Sequence, residues 1–201
     1  MLVISAVEGV QAQTRVLMRT LQRLRIPALL FVNKIDRSGA QDEAVLRAIS
    51  GRLTPAIIPM GSARHLGTRG AGFTPYRAGD AAFTARMADV LATRDDGLLA
   101  AYVDDETAVS YGRLREELAA QARRALAHPV FFGSAMTGAG VDALTAGIRE
   151  LLPAAEGDAD GPVSGTVFKV ERGPTGERIA FARMFSGTVR ARDRLRFGPD
   201  R

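Results

Sequence analysis

Two continuous apolar runs, LVISA (Leu2–Ala6) and PALLFV (Pro27–Val32), flank a segment of helical period, and no other feature constrains the fold as much. A short apolar run without alternation fits a strand buried on both faces. Two such strands joined by a helix form a parallel crossover unit, which is right-handed in nearly every known case. In the intervening segment EGVQAQTRVLMRTLQRLR, Val10, Leu17, Leu21 and Leu24 recur at helical spacing. Arg15, Arg19 and Arg23 lie four apart, on a face largely away from that stripe.

The alternation continues. Gln41–Leu53 carries Val45, Leu46 and Ile49 and predicts a second helix. TPAIIPMGS predicts an edge strand, because its prolines cannot serve a central ladder. RHLGTRGAGFTPYRAGD is rich in Gly, Pro and Arg and predicts a loop or hairpin. Helical period returns over Asp95–Tyr102 and Thr107–Leu126, with Leu114, Leu118 and Leu126 as core positions. HPVFFGSA predicts a third buried strand, and Val141–Leu152 a closing helix. The fold class is therefore α/β, a parallel sheet with helices on both faces, spanning residues 1–152 with an insert over about 54–127.

After Pro153 the character changes. PAAEGDADGP (153–162) is a polar, Gly/Pro-bounded linker. VSGTVFKVER, GERIAFARMFSGTVR and DRLRF beyond it alternate as strands do. About 40 residues supply only three or four average strands, so residues 163–201 form the incomplete start of a β-barrel segment.

Composition excludes several chemistries. The chain has no cysteine, hence no disulfide framework, thiolate zinc site or thiol catalysis. It has no run long enough to span a membrane and no basic leader before its first apolar run, which fits a cytoplasmic location. The formal net charge of +5 fits an RNA or phosphate-rich partner, or an arginine-rich genomic habit. Of the 27 basic residues only Lys34 and Lys169 are lysines, and Lys34 stands in FVNKIDR at the end of the second apolar run.

That position carries chemistry. In open parallel sheets, ligands bind beyond the carboxyl ends of the strands, and NKID begins there. The Asp36 carboxylate can accept two parallel hydrogen bonds, and guanine offers a ring N–H and an exocyclic amine side by side. Adenine has no such pair on that edge, so the carboxylate discriminates by being left unpaired against the wrong base. Asn33 can serve a ring nitrogen or tie the loop to its neighbours. The four-carbon stem of Lys34 can lie on the purine face with its ammonium beyond the ring, a fit that arginine's wide fork does not reproduce. A second loop, in FFGSAMTGAG, follows the third strand, and there the backbone N–H groups of Ser134 and Ala135 can reach a base oxygen.

LVISAVEGVQAQTRVLMRTLQRLRIPALLFVNKIDR resembles the translational GTPases related to elongation factor G, and among them the tetracycline-resistance ribosomal protection proteins. The likeness continues through RDDGLLAAYVDDETAV, HPVFFGSAMTGAGVDALTAGIRELLP and SGTVFKVERGPTGERIAFARMFSGTVRARDRLRF, and is weakest over Thr54–Asp89. It implies the C-terminal part of a P-loop GTPase-type sheet, with Asn33, Lys34 and Asp36 as base-recognition residues. Ser134 and Ala135 would form the second base contact, with Met136 flanking. It also implies GTP or GDP as ligand, the ribosome (ribosomal RNA and proteins) as partner, no role for membrane or DNA, and release of tetracycline from the small subunit. An elongation factor G-like translocation factor and a non-catalytic ribosome-binding module are the alternatives.

The same resemblance implies a piece of a longer protein. A phosphate-binding loop needs Gly-Lys-Ser/Thr, and neither lysine here follows a glycine. The two switch segments that bring Mg²⁺ to the phosphates in the family have no counterpart in these residues either. The expectation is a guanine-binding half without the phosphate and magnesium half, and hence no catalytic residue.

Other patterns are weaker. GAGVDA (Gly138–Ala143) matches a dinucleotide fingerprint, but the acids about 20 residues on, Asp158 and Asp160, lie in the linker without a strand before them. EGDADG opens like a calcium loop, yet Val167 stands where the bidentate glutamate belongs. His128, before a proline at a strand start, is structural, and Asp104, Asp105 and Glu106 form a solvated helix-start cluster. The arginine row is either a solvated helix face or an RNA contact.

Overall fold

The computed structural model describes residues 1–104, 109–154, 156–195 and 198. Its first unit, Met1–Pro153, is built around four parallel strands: β1 (Leu2–Ser5), β2 (Leu30–Asn33), β3 (Ile57–Pro59) and β6 (His128–Phe132). Their spatial order is β1-β2-β6-β3, so β2 and β6 lie centrally and the proline-flanked β3 takes an edge. Leu2 pairs with Leu30, Leu30 with Val130, and Pro59 with Val130, which sets the register across the sheet.

The apolar runs are continuous because both faces are covered. Leu29 and Phe31 face a cluster with α3 (Ala81–Ala92), α5 (Tyr111–Arg123) and α6 (Val141–Leu151). Leu30 and Val32 face the opposite cluster, with Met18 of α1 (Ala12–Arg23) and Val45 and Ile49 of α2 (Asp42–Arg52). Successive strand residues thus feed opposite cores. Between β3 and β6 the chain adds an antiparallel hairpin, β4 (Gly61–Arg64) with β5 (Gly72–Pro75), then α3, α4 (Asp96–Asp104) and α5.

Several expectations change here. The buried face of α1 is centred on Met18, with Leu21 half-buried, whereas Leu17 and Leu24 are 47% and 57% exposed. The helix is rotated by about one residue from the leucine stripe, and Leu17 lines an open cleft beside β1. Helix α3 was not anticipated, although Phe83, Met87 and Leu91 recur at four-residue spacing and are all buried. Asp104 is the last residue of α4, not a helix start, while Asp105 and Glu106 lie outside the described residues. Asp95 begins that helix instead, its Oδ1 accepting the Leu98 N–H at 2.9 Å.

The second unit, Ala154–Arg201, contains the hairpin β7 (Ser164–Arg172) with β8 (Arg178–Ser186). Within it Lys169 pairs with Glu171 and its ammonium lies 5.3 Å from the Phe181 ring centroid, which accounts for the second lysine. The strand anticipated in DRLRF does not form over Asp193–Leu195, and Arg196 and Phe197 lie outside the described residues.

Two stability effects follow. Gly147 of α6 faces Phe131, and an added Cβ would come within 2.3 Å of the ring Cζ. Since Phe131 is itself buried, Gly147→Ala is expected to cost about 1–3 kcal/mol in denaturant unfolding; an unchanged midpoint would show the α6–β6 contact to be slack. His128 is buried with Nδ1 3.2 Å from the Ala28 carbonyl oxygen, and burial holds its pKa below the ordinary 6.5 despite that bond. Below 6.5 the unfolded chain takes up a proton that the native imidazole resists, so this contribution is present above 6.5 and lost as pH falls. Urea titrations should show stability declining on acidification through that value, and His128→Gln should flatten the decline.

Candidate guanine-base site

Because β1, β2 and β6 run parallel, the loops leaving Ser5, Asn33 and Phe132 emerge at one edge of the sheet. Ser5 and Asn33 are register partners. The Ser5 hydroxyl accepts the N–H groups of Val7 and Glu8, both at 3.2 Å, and its carbonyl accepts that of Gly9 at 2.9 Å. This tight turn presents Glu8 toward the loop after β2.

That loop is held from both ends. Asn33 Oδ1 accepts the N–H of Lys34 at 2.8 Å and that of Ala135 at 2.9 Å. Of the two roles open to Asn33, the tie between loops is the one seen. Lys34 adopts a left-handed backbone (φ 69°), which turns the chain sharply after the strand. Ile35 then drops into the core, fully buried, donating its N–H to the Gly133 carbonyl at 3.2 Å and accepting that of Gly67 at 2.8 Å. The anchor leaves Lys34 and Asp36 on either side of a fixed point.

The Lys34 ammonium is 2.9 Å from Glu8 Oε1, with both side chains nearly half exposed. Lys34 holds the Glu8 carboxyl below its usual range. Glu8 is a site residue that sequence reasoning did not identify. Its available signal was its place at the carboxyl end of the strand next to NKID.

Asp36 is only 11% exposed at its side chain, and its Oδ1 is buried without a hydrogen-bond partner. Oδ2 lies 3.8 Å from Arg37 Nε. The adjoining Ser134 hydroxyl, more than burial opposes it, holds the carboxyl below its usual range, helped by the residue's own N–H and by Arg37. No Ser134–Asp36 contact is close and aligned enough to count as a full hydrogen bond, so Oδ1 remains an acceptor in need of a donor.

Ser134 itself is fully buried. Its Oγ accepts the N–H groups of Met136 and Thr137, each at 3.2 Å, closing a turn under the loop. Its own N–H donates to Ala139 at 2.9 Å. Gly140 (φ 74°) lets the chain pass the Phe132 carbonyl, which an added Cβ would approach to 2.1 Å. Both N–H groups expected to await a base oxygen are thus engaged, that of Ser134 by Ala139 and that of Ala135 by Asn33. A base oxygen would have to share the Ala135 N–H with Asn33. Met136 leaves its side chain 78% exposed at the rim.

The Asp36 carboxylate, the Lys34 stem and the Ser134–Ala135 loop thus lie around one edge of the sheet. Among the described residues no group of three or more His, Cys, Asp or Glu side chains stands close enough to hold an ion.

A parallel sheet covered on both faces, with polar loops gathered at its carboxyl edge, defines an open α/β domain of the kind whose ligands bind at that edge. Residues 1–154 match the elongation factor Tu GTP binding domain, and the chain belongs to that family. Among its relatives, the oxytetracycline resistance protein of Streptomyces rimosus is 52% identical over 96% of this chain and 29% of its own length. The tetracycline resistance protein TetM of Streptomyces lividans is 43% identical over 98% of this chain and 31% of its own. The chain therefore spans about 30% of the length of these relatives. A solved structure from Thermus thermophilus superposes with a TM-score of 0.67 at 24% identity, covering 92% of this chain and 31% of its own, and shows the shared fold.

The Asn33 bridge has a measurable consequence. Asn33→Ala removes the acceptor for two N–H groups, and about 1 kcal/mol per bond corresponds to a several-fold change in local opening. Amide exchange at Lys34 and Ala135 should accelerate about fivefold or more while the β2 core amides keep their protection. Unchanged exchange at Ala135 would mean that the bridge does not hold the two loops together.

Proposed function

We infer that this chain carries the guanine-recognition residues of a ribosome-associated GTP-binding protein, and that the whole protein releases tetracycline from the ribosome. The observation that supports the base site most directly is the Asp36 carboxylate, held below its usual pKa range by the Ser134 hydroxyl and standing across the anchored Ile35 from Lys34. Asp36 accepts the ring N–H and amine of guanine, the Lys34 stem covers the ring face, and Asn33 with Ser134 and Ala135 hold the second loop at the base oxygen. The tetracycline-resistance names of the relatives support the role of the whole protein, and the family supports guanine nucleotide as the ligand.

The 201 residues contain no Gly-Lys-Ser/Thr. Phosphate and magnesium contacts supply most of the grip and all of the catalysis in phosphoryl transfer, so this chain by itself binds guanine nucleotide weakly and hydrolyses no GTP. That same observation favours a second reading, a non-catalytic ribosome-binding module.

Chemical-shift titration of the 201-residue chain decides the base site. GDP should perturb Lys34, Asp36 and Ala135 at millimolar concentration (about 4 kcal/mol or less), and ADP should not. Xanthine carries an oxygen where guanine has its amine, so Asp36→Asn should lose GDP and gain the xanthine nucleotide. Equal response to GDP and ADP, or no exchange of preference, would overturn the site. Co-sedimentation with 70S ribosomes tests the partner. Pelleting with ribosomes but no guanine preference would establish the non-catalytic module instead.

A further inference from the structure

Helix α1 is bound to its domain by a narrow seam. Met18 is its one fully buried residue, and Arg15, Arg19 and Arg23 all lie on its exposed side. None of the three makes an ion pair or side-chain hydrogen bond among the described residues. The helix contains no acidic residue, and the nearest acid in the chain, Glu8, is already engaged by Lys34. Elsewhere among the described residues the exposed Arg47 pairs with Glu43 and the half-buried Arg115 with Glu150, so the α1 row is set apart by its regular spacing on one helix face rather than by its lack of carboxylates.

The spacing limits what such a row can meet. Four helical residues rise about 6 Å, so the three guanidinium groups repeat at roughly the interval between successive phosphates of a nucleic-acid strand. A guanidinium fork also suits bidentate phosphate binding better than an ammonium does. A phosphate backbone repeats at that interval by construction.

We propose that the Arg15–Arg19–Arg23 row of α1 is an RNA-backbone contact that takes consecutive phosphates of one strand. It reads charge and shape rather than sequence, because guanidinium groups on phosphates carry no base information. The contact is separate from the guanine-base site and needs no nucleotide. It names the surface through which the ribosome association inferred above would involve RNA, and it is tested without ribosomes, so the two can fail independently.

The experiment is fluorescence anisotropy of the 201-residue chain with a labelled RNA hairpin of ~12 base pairs, a length that offers a continuous backbone, over a range of salt. Changing Arg15, Arg19 and Arg23 together to Gln keeps helix propensity nearly constant at exposed positions. The triple variant should bind at least about tenfold more weakly at low salt. Its slope of log affinity against log salt should shrink by about 2–3, one counterion released per lost contact. A control triple, Arg94→Gln, Arg124→Gln and Arg149→Gln, removes the same charge from exposed positions elsewhere in the unit and should lose less than about threefold. Equal losses in both triples would show that net charge alone drives binding and would overturn the proposal. So would unchanged RNA affinity in the α1 triple, or a row that binds phosphatidylserine vesicles while ignoring the hairpin. Circular dichroism and thermal unfolding confirm that both triples remain folded.

Discussion

The structure depends on the burial of β2 from both sides. Leu29 to Val32 are at most 4% exposed, with alternate residues committed to opposite helical layers and each edge of the strand paired. No slip of register is tolerated by such a strand, because moving it by one residue would exchange the two cores. The strand therefore fixes where its polar sequel must begin. Asn33 is the first residue that can leave the sheet, and the NKID loop is placed by packing that takes no part in ligand chemistry.

The same logic continues into the site. Ile35 is an apolar residue inside a polar loop, and its burial turns a flexible connection into a two-point mount for Lys34 and Asp36. Asn33 extends the mount across the sheet to Ala135, which ties the loop after β2 to the loop after β6. What remains unsatisfied is one carboxylate oxygen of Asp36.

The two lysines and the free arginines show how one charge can serve different ends. Lys34 and Lys169 each hold a carboxylate, and Lys169 also lies over an aromatic ring. Arg15, Arg19 and Arg23 have no such partners among the described residues, and α1 commits little of its surface to the core.

The sequence by itself determined the α/β class, three of the four sheet strands with the fourth foreseen as an edge, and the loops that leave the carboxyl ends of β2 and β6. Continuous apolar runs and their polar ends are local signals, carried by neighbours in the chain. It also revealed the helices whose stripes match their buried faces, such as α2 and α6. It misplaced the face of α1, because leucine spacing cannot say how far a helix turns once Met18 offers an alternative contact, and it passed over α3 among glycines and prolines. Only the tertiary structure decided that Asn33 bonds Ala135, 102 positions away. The same holds for Lys34 with Glu8 and for Asp36 Oδ1, left unpaired. Those outcomes depend on which loops the parallel register brings to one edge, and a hydrogen bond between distant residues leaves no periodic trace in the sequence that makes it.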